Sequence, residues 1–164
     1  MSKNYSIRRL GPSDAACARE LLQMWLTDDG EAPIVESSDA YLTELLSRDT
    51  FHMVVGIVDG EIVGGATGYE LDMYKRPVRE MFFYEIGVAR ANRQQGIGRA
   101  LIEELKAICV ERGLAEMYVL TDSDNVPANQ LYAGTGGKPN PLCVYYEYDV
   151  NGAKRGPQAD SETR

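Results

Sequence analysis

The sequence contains very little histidine and cysteine, which excludes several kinds of site chemistry. It has 164 residues, of which one is histidine and three are cysteine. One histidine rules out a multi-histidine metal site and argues against a Ser-His-Asp triad. His52 begins a strand pattern, so we interpret it as a strand residue with a hydrogen-bonded ring. Cys17, Cys109 and Cys143 are far apart and odd in number, which predicts free thiols. No spacing suggests a metal site, so we expect no metal.

Long apolar runs and an excess of positive charge are also missing. No apolar run approaches the ~20 residues of a membrane span. Arg8 and Arg9 follow a polar start with no apolar stretch behind them, so we expect a cytoplasmic protein without a signal peptide or membrane association. The net charge of -8 argues against a nucleic-acid partner and suits a small cationic one. The same charge would also be explained by solubility alone.

Hydrophobic periodicity predicts one α/β domain over residues 1–150 and a disordered tail over 151–164. An acidic loop is expected over 27–38. Asp59-Gly60 predicts a hairpin turn, and the crossover rule makes the strands on either side of the helix at 97–112 parallel. The other predicted helices lie near 13–25, 39–46 and 126–132. The predicted strands are 5–10, 51–58, 61–71, 79–88, 114–121 and 142–150.

The segment Arg93-Gln94-Gln95-Gly96-Ile97-Gly98-Arg99 has the composition of an anion site. It follows a strand pattern and opens an amphipathic helix, whose apolar stripe contains Ile97, Leu101, Leu105 and Ile108. Glycines let a phosphate approach the backbone, and the free N–H groups and dipole of a helix N-terminus favour negative charge. The P-loop spacing fails because Arg99 and Ala100 replace Lys-Ser/Thr, and the dinucleotide fingerprint lacks its third glycine.

A second segment follows the next predicted strand. It reads Asp122-Ser123-Asp124-Asn125-Val126-Pro127-Ala128-Asn129-Gln130-Leu131-Tyr132. Pro127 suits the first turn of a helix, and Asp124 or Asn125 suits its N-cap. The local pattern therefore predicts a short helix that ends in a tyrosine.

Together the two segments resemble the GNAT superfamily of acetyl-CoA-dependent N-acetyltransferases. The first is similar to its pyrophosphate loop, Arg/Gln-x-x-Gly-x-Gly, and the second to its Asn/Asp-and-tyrosine motif. Residues 39–51, 80–88 and 146–149 are also similar to the aminoglycoside 3-N-acetyltransferase branch. The resemblance covers about two-thirds of the chain. It implies a GNAT fold, with a mixed central β-sheet of about six to seven strands flanked by about four helices.

The resemblance also implies a reaction and its residues. Acetyl-CoA would acetylate a primary amine of an aminoglycoside, the 3-amino group in this branch, and so confer resistance. Glu85 would accept the proton, and Tyr132 would protonate or hydrogen-bond the departing thiolate. Backbone N–H groups near residues 86–88 would polarise the thioester carbonyl if the parallel strands splay there. Relatives are often dimers, so a homodimer is a further expectation.

The individual site residues follow from the same match. The expected cofactor contacts are Ile86, Gly87, Val88, Arg93, Gln94, Gln95, Gly96, Ile97, Gly98, Arg99, Ala100, Asn125, Ala128, Asn129 and Tyr132. The expected substrate contacts are Tyr84, Glu85, Asp122, Asp124, Glu147 and Asp149. Further anionic candidates for the other ammonium groups of the acceptor are Glu36, Asp39, Glu70 and Asp72.

Two departures from the family pattern leave alternatives open. Glu85 stands where the branch usually has aspartate, and Ala133-Gly134 follows Tyr132 where Gly-Phe is usual. The acceptor could instead be a polyamine or a protein amine. A non-catalytic acetyl-CoA-binding protein, with Glu85 and Tyr132 purely structural, is the other alternative.

Overall fold

The computed structural model describes residues 4–29 and 37–150, and a five-stranded mixed sheet forms its centre. The strands lie in chain order: β1 antiparallel to β2, β2 to β3, β3 to β4, and β4 parallel to β5. The strand bounds are β1 Ser6–Arg9, β2 Phe51–Val58, β3 Glu61–Met73, β4 Val78–Val88 and β5 Met117–Val119. The four α-helices are α1 Ala15–Asp29, α2 Asp39–Ser47, α3 Ile97–Glu111 and α4 Val126–Gly134.

Two apolar clusters cover the two faces of the sheet. On one face, the predicted stripe of α3 is buried: Ile97, Leu101, Leu105 and Ile108 are all at most 2% exposed. On the other face, α1 and α2 bury a second cluster that includes Leu21 and other apolar side chains. The period of 3.6 residues therefore identified the buried side of α3 correctly.

The predicted turn between β2 and β3 is confirmed by its backbone. Asp59 and Gly60 both have positive φ, 49° and 87°. A two-residue hairpin of this type needs positive φ at both central positions, which Asp-Gly supplies at low cost. The turn fixes the register in which β2 and β3 pair along almost their whole length.

The expected strand count of six to seven is wrong for the described residues, which contain five strands. The segment 142–150 has the composition of a strand but pairs with none of the described strands. The expected strand over 114–121 shrinks to Met117–Val119. An alternating apolar pattern shows only that a segment suits a sheet, because pairing also needs an accessible strand edge.

Several other sequence predictions have simple outcomes in the structure. The acidic loop was expected from residue 27, but residues 27–29 belong to α1 and residues 30–36 lie outside the described residues. Glu36 and the tail over 151–164 lie outside the described residues. No helix in the described part of the chain is long and apolar enough to span a membrane. The three cysteines are free: Cys109 is buried, Cys17 is partly buried and Cys143 is exposed.

A buried ion cluster ties the start of β4 to β2, β3 and the end of α3. The Glu70 carboxylate is fully buried and contacts His52 Nε2 at 2.7 Å, Arg79 Nη1 at 2.5 Å and Arg112. Burial alone would raise the pKa of Glu70, but hydrogen bonds from Arg112 and His52 outweigh it and lower the pKa. The expectation for His52 is confirmed. Glu70 is not available to an acceptor amine, because its oxygens are already engaged.

Candidate active site

The candidate site begins where β4 and β5 part. The two strands pair only at Met81, Phe82 and Phe83, opposite residues 117–119. Beyond that point β5 has ended, while β4 continues to Val88. Residues 84–88 of β4 therefore keep β3 on one side and lose their strand partner on the other. This is the splay that the sequence resemblance implied.

A β-bulge at Tyr84 marks the point of divergence. Glu85 pairs with Thr67 and Phe83 pairs with Gly68, so Tyr84 is an extra residue in β4. A bulge shifts the alternation of a strand by one residue. Before it, Met81 N–H donates to Glu116 O, on the β5 side. After it, Ala89 N–H donates to Val63 O, on the β3 side.

This alternation fixes where the next N–H groups point. Alternate residues of an antiparallel strand direct their N–H groups to opposite edges. Since Ala89 faces β3, the N–H groups of Val88 and Ile86 face the open side of β4. The Arg93 guanidinium donates to Val88 O at 2.8 Å, which agrees with that direction. Two backbone donors therefore line the space that β5 vacates.

The Gly loop leads into α3 with a backbone suited to an anion. Gly96 is the N-cap, with φ of 86°, and Gln94 also has positive φ, 61°. Ala100 N–H is bonded to Gly96 O, so the N–H groups of the three residues between them lie in the first turn and precede the i−4 ladder. Left-handed residues before a helix create a concave set of N–H groups that binds phosphates. These residues fit a pyrophosphate.

The cations of the loop also hold it in place. Arg99 Nη1 donates to Gly134 O at 2.6 Å, which links the first turn of α3 to the end of α4. A groove beside the loop is lined by Tyr5, Gln95 and Arg99, among others. Gly98 permits close packing: a Cβ there would lie 3.2 Å from Leu131. Gly96 thus serves the turn, whereas Gly98 lets α4 approach.

Three expected cofactor residues organise the start of α4. Asn125 is the N-cap, and its side chain accepts from Ala128 N–H at 3.2 Å. Asn129 Nδ2 donates to the carbonyls of Asp122 and Asn125 at 2.9 and 2.8 Å. These bonds hold the loop after β5 onto α4. They give Asn125, Ala128 and Asn129 a structural role, which sequence spacing could not distinguish from cofactor contact.

Tyr132 lies at the fork between β4 and β5. Its ring packs edge-to-face on Phe83, with ring centroids 5.8 Å apart. Phe83 is the last residue of β4 that pairs with β5. A tyrosine hydroxyl is already protonated at neutral pH, and burial raises the pKa of Tyr132 further. A protonated phenol at this place suits a hydrogen-bond or proton donor.

A row of aromatic rings crosses the opposite face of the sheet beside Glu85. Tyr84 packs edge-to-face on Tyr69 and on Phe82, at 5.7 and 5.5 Å. Phe82 stacks on Tyr118 of β5 at 5.2 Å. Glu85 is exposed, and its charge contributes to raising the pKa of Tyr69, although burial is the largest cause. Sequence reasoning named only Tyr84 of this row, because the row forms across three strands.

Trp25 of α1 reaches the same part of β4. A Cβ at Gly87 would lie 2.4 Å from Trp25 Nε1, so Gly87 is required by the indole. Trp25 is 8% exposed, and its Nε1 has no hydrogen-bond partner among the described residues. Gly87 therefore has a packing role beside its expected cofactor contact.

The remaining expected substrate residues are only partly brought together. Tyr84 and Glu85 meet at the bulge, and Asp122 and Asp124 are exposed on the loop after β5. The closing strand expected to carry Glu147 and Asp149 does not form. Glu147 instead accepts from Tyr145 Oη at 3.0 Å within its own segment.

Comparison with known proteins settles the family. The model of the acetyltransferase (GNAT) family matches residues 19–136. The chain belongs to the GNAT acetyltransferase family. Its members are acetyl-CoA-dependent N-acetyltransferases. The splayed strands, the Gly loop and α4 described above are this chain's versions of the family's elements. A comparison with curated protein sequences found no match.

Solved structures of similar fold include two aminoglycoside acetyltransferases from uncultured soil metagenomic samples. HMB0005 shares 30% identity at a TM-score of 0.83, covering 92% of this chain and 99% of that one. The protein meta-AAC0020, solved with sisomicin, shares 24% identity at a TM-score of 0.83, covering 90% of this chain and 97% of that one. A ribosomal-protein-alanine N-acetyltransferase from Brucella melitensis biovar Abortus 2308 shares 23% identity at a TM-score of 0.70. The match covers 88% of this chain and 99% of that one.

Proposed function

We propose that this protein transfers the acetyl group of acetyl-CoA to a primary amine of an aminoglycoside, at the 3-amino position. The observation that carries the proposal is the juxtaposition at the bulge of β4. There Glu85 and an aromatic face lie on one side, and the fork with Tyr132 lies on the other. The similarity to HMB0005 over almost the whole of both chains supports the aminoglycoside as acceptor.

Cofactor binding would rest on the loop and the open edge of β4. The first-turn N–H groups of α3 and the Arg93 and Arg99 side chains would hold the pyrophosphate. The thioester would then lie along the open edge, where the N–H groups of Ile86 and Val88 point. When bound, acetyl-CoA supplies an activated acyl group. The positive φ of Gly96 supports this assignment because it shapes the loop for close approach.

The acceptor amine must lose a proton before it can attack. Only the neutral amine is nucleophilic, and Glu85, directly or through one water, is the proposed proton acceptor. The N–H groups of Ile86 and Val88 would stabilise the negative charge that develops on the carbonyl oxygen. Tyr132 would donate a proton or hydrogen bond to the departing thiolate, a role supported by its place at the fork, against Phe83.

The acceptor surface suits a cationic sugar. Aromatic faces attract ammonium groups, and Tyr84 is half-exposed beside the Glu85 carboxylate. Asp122 and Asp124 on the neighbouring loop would add negative charge for the other ammonium groups. The net charge of -8 would concentrate such a substrate near the protein.

The test is an acceptor panel with acetyl-CoA and continuous detection of free thiol. We expect turnover with gentamicin-like and kanamycin-like aminoglycosides and much lower kcat/KM with spermidine or a peptide amine. Mass and NMR analysis of the product should place the acetyl group on the 3-amino nitrogen. Expression in a susceptible bacterium should raise the inhibitory concentration of the accepted drugs.

Each failure of this panel has a distinct meaning. Turnover only on polyamines or peptides would overturn the aminoglycoside assignment and keep the N-acetyltransferase. Tight acetyl-CoA binding without turnover on any amine would overturn the proposed chemistry. Acetylation at another nitrogen would overturn the regiochemistry alone.

A further inference from the structure

The bulge in β4 places two consecutive side chains on the same face of the sheet. Phe83 and Ile86 both pack in the apolar cluster that α3 covers. In a regular strand, residues three positions apart face opposite sides, because side chains alternate with a period of two. Tyr84 and Glu85, which lie between them, therefore both face the side of α1 and α2. An aromatic ring and a carboxylate stand next to each other there.

Tyr69 of β3 forms a corner with Tyr84 on this face. The two rings meet at 84°, with their centroids 5.7 Å apart. Tyr69 also packs on Phe51, at 4.9 Å. Tyr84 packs on Phe82 as well, at 5.5 Å, and is still 50% exposed. These contacts fix the orientation of both rings, so the corner presents aromatic surface to a ligand in a defined geometry.

Tyr41 of α2 approaches the same corner and is 51% exposed. Burial is the largest cause that raises the pKa of Tyr69, and the nearby Tyr41, Tyr84 and Glu85 raise that pKa further. Aromatic rings from α2, β3 and β4 thus converge beside one carboxylate. We call Tyr41, Tyr69 and Tyr84 the tyrosine cage.

The tyrosine cage suits a cation. The face of an aromatic ring is negative, and aromatic cages recognise ammonium ligands through this property. The Glu85 carboxylate adds a full negative charge, so an anion would be repelled and an uncharged group would gain little. Arg48 also lies near Tyr69, but its Nη2 donates to Glu44 Oε1 at 2.8 Å, which pairs its charge on α2. The ligand that fits is an ammonium group brought by the substrate.

We infer that the tyrosine cage holds an ammonium group of the acceptor that is not acetylated, beside the amine that reacts at Glu85. The inference rests on the proposed function. If the 3-amino group of an aminoglycoside reacts, the 1-ammonium shares its ring and keeps a fixed separation from it. The cage favours the charged form of the one group, while Glu85 takes the proton of the other. Tyr41, Tyr69 and Tyr84 then select acceptors with a second ammonium at this separation.

The test is calorimetry of sisomicin binding to the complex of the protein with CoA, which needs no turnover. Tyr84→Leu keeps apolar bulk and removes the aromatic face, whereas Tyr84→Phe keeps the face and removes the hydroxyl. We expect affinity to fall about fivefold to thirtyfold in Tyr84→Leu and to stay within about twofold of wild type in Tyr84→Phe. Tyr74→Leu is the matched control, because Tyr74 is 92% exposed on the turn after β3, and it should bind as the wild type does.

Tyr69→Leu should act in the same direction as Tyr84→Leu. Because Tyr69 also packs on Phe51, thermal melts must establish that this variant is folded. In steady-state kinetics, both variants should raise KM and leave kcat nearly unchanged, since the cage binds a group that does not react.

A second acceptor tests the ammonium itself. The 1-deamino analogue of sisomicin lacks the charge that the cage would hold and adds no bulk. We expect it to bind the wild type less tightly than sisomicin, and we expect most of this difference to vanish in Tyr84→Leu. The two changes should be coupled by at least about threefold in affinity, which is the signature of direct contact.

The outcomes separate this inference from the proposed function. Normal turnover of sisomicin without coupling would overturn the cage and leave the proposed function intact. Coupling without turnover of any aminoglycoside would keep the cage and overturn the proposed function. Equal losses of affinity in Tyr84→Phe and Tyr84→Leu would assign the effect to the hydroxyl and overturn the cage. A loss of kcat at unchanged affinity would also overturn it, because Tyr84 would then act through Glu85.

Discussion

The two halves of β4 differ in how they pair with neighbouring strands. The first half, up to Phe83, pairs with β3 throughout and with β5 at residues 81–83, and it is anchored by the Glu70 cluster through Arg79. The second half, from Glu85 to Val88, pairs with β3 alone, and Tyr84 is the extra residue between the two halves. The same strand is therefore a structural element at one end and an open edge at the other, with the bulge between them.

The comparison shows how one strand can combine rigidity with exposed donors. Unpaired backbone groups are costly inside a protein, so they persist where the surrounding structure holds them. The paired half of β4, together with β3, holds the open half in position. A change at the paired end should therefore lower stability, and a change at the open end should lower activity.

The largest effect should follow from blocking the Gly loop. We expect Gly96→Val to weaken CoA binding by on the order of 100-fold or more, since it removes several charge-assisted hydrogen bonds. Gly60→Val is the matched control, because Gly60 has φ of 87° against 86° at Gly96 and open space around it. Calorimetry should show a similar fall in Tm for both variants and a loss of CoA affinity only for Gly96→Val. Unchanged affinity in Gly96→Val would contradict the loop assignment.

Breaking the paired end should cost stability without changing the chemistry. Glu70→Gln leaves Arg79 and Arg112 without their carboxylate, and we expect about 2–4 kcal/mol less free energy of unfolding at pH 7. Because folding lowers the pKa of Glu70, its contribution is present above the unfolded pKa and is lost as pH falls through the folded pKa. Denaturant unfolding of variant and wild type should therefore converge in acid.

The control for this experiment is Glu61→Gln, at the exposed start of β3. It should leave the free energy of unfolding within about 0.5 kcal/mol of wild type. Well below its Tm, Glu70→Gln should keep the wild-type kcat and KM. A selective loss of kcat at full stability would mean that the cluster acts on the reaction rather than on the fold.

At the open end, Tyr132→Phe keeps the ring on Phe83 and removes only the hydroxyl. We expect kcat to fall on the order of 100-fold. This is the lower end of the range for a lost general acid, because water replaces the hydroxyl in part. Tm should change little. Tyr118→Phe, which keeps its stacking on Phe82, is the control and should retain activity. Full turnover in Tyr132→Phe would make Tyr132 a packing residue.

The smallest effect should come from Glu85→Gln, since Glu85 is exposed and water can take its place. We expect roughly tenfold lower turnover at pH 7, with partial recovery at high pH, where the acceptor amine is already neutral. A loss confined to KM, without recovery, would mean that Glu85 only attracts the cation. A pH–rate profile equal to wild type would place the proton acceptor elsewhere, with Asp122 as the next candidate.

Local patterns predicted those elements whose partners are specified nearby. The apolar stripe of α3, the Asp59-Gly60 turn and the N-cap of α4 all depend on residues within a few positions, and all three are confirmed. The cap was predicted at Asp124 or Asn125 and lies at Asn125. The strand over 142–150 depends on a distant edge, and that prediction is wrong for the described chain. The Glu70 cluster was also missed, because its members come from β2, β3, β4 and α3.

The sequence by itself determined the Gly loop, the helix that follows it and the family that the two motifs identify. Short-range geometry suffices there, since glycine conformations and helix caps are decided by neighbouring residues. Tertiary structure alone decided where the pairing of β4 with β5 ends and which N–H groups of β4 face the open side. It also decided which carboxylates form ion pairs inside the protein. Those outcomes depend on strand register and on a single bulge. A shift of one residue in a strand turns every side chain to the other face and every N–H group to the other edge.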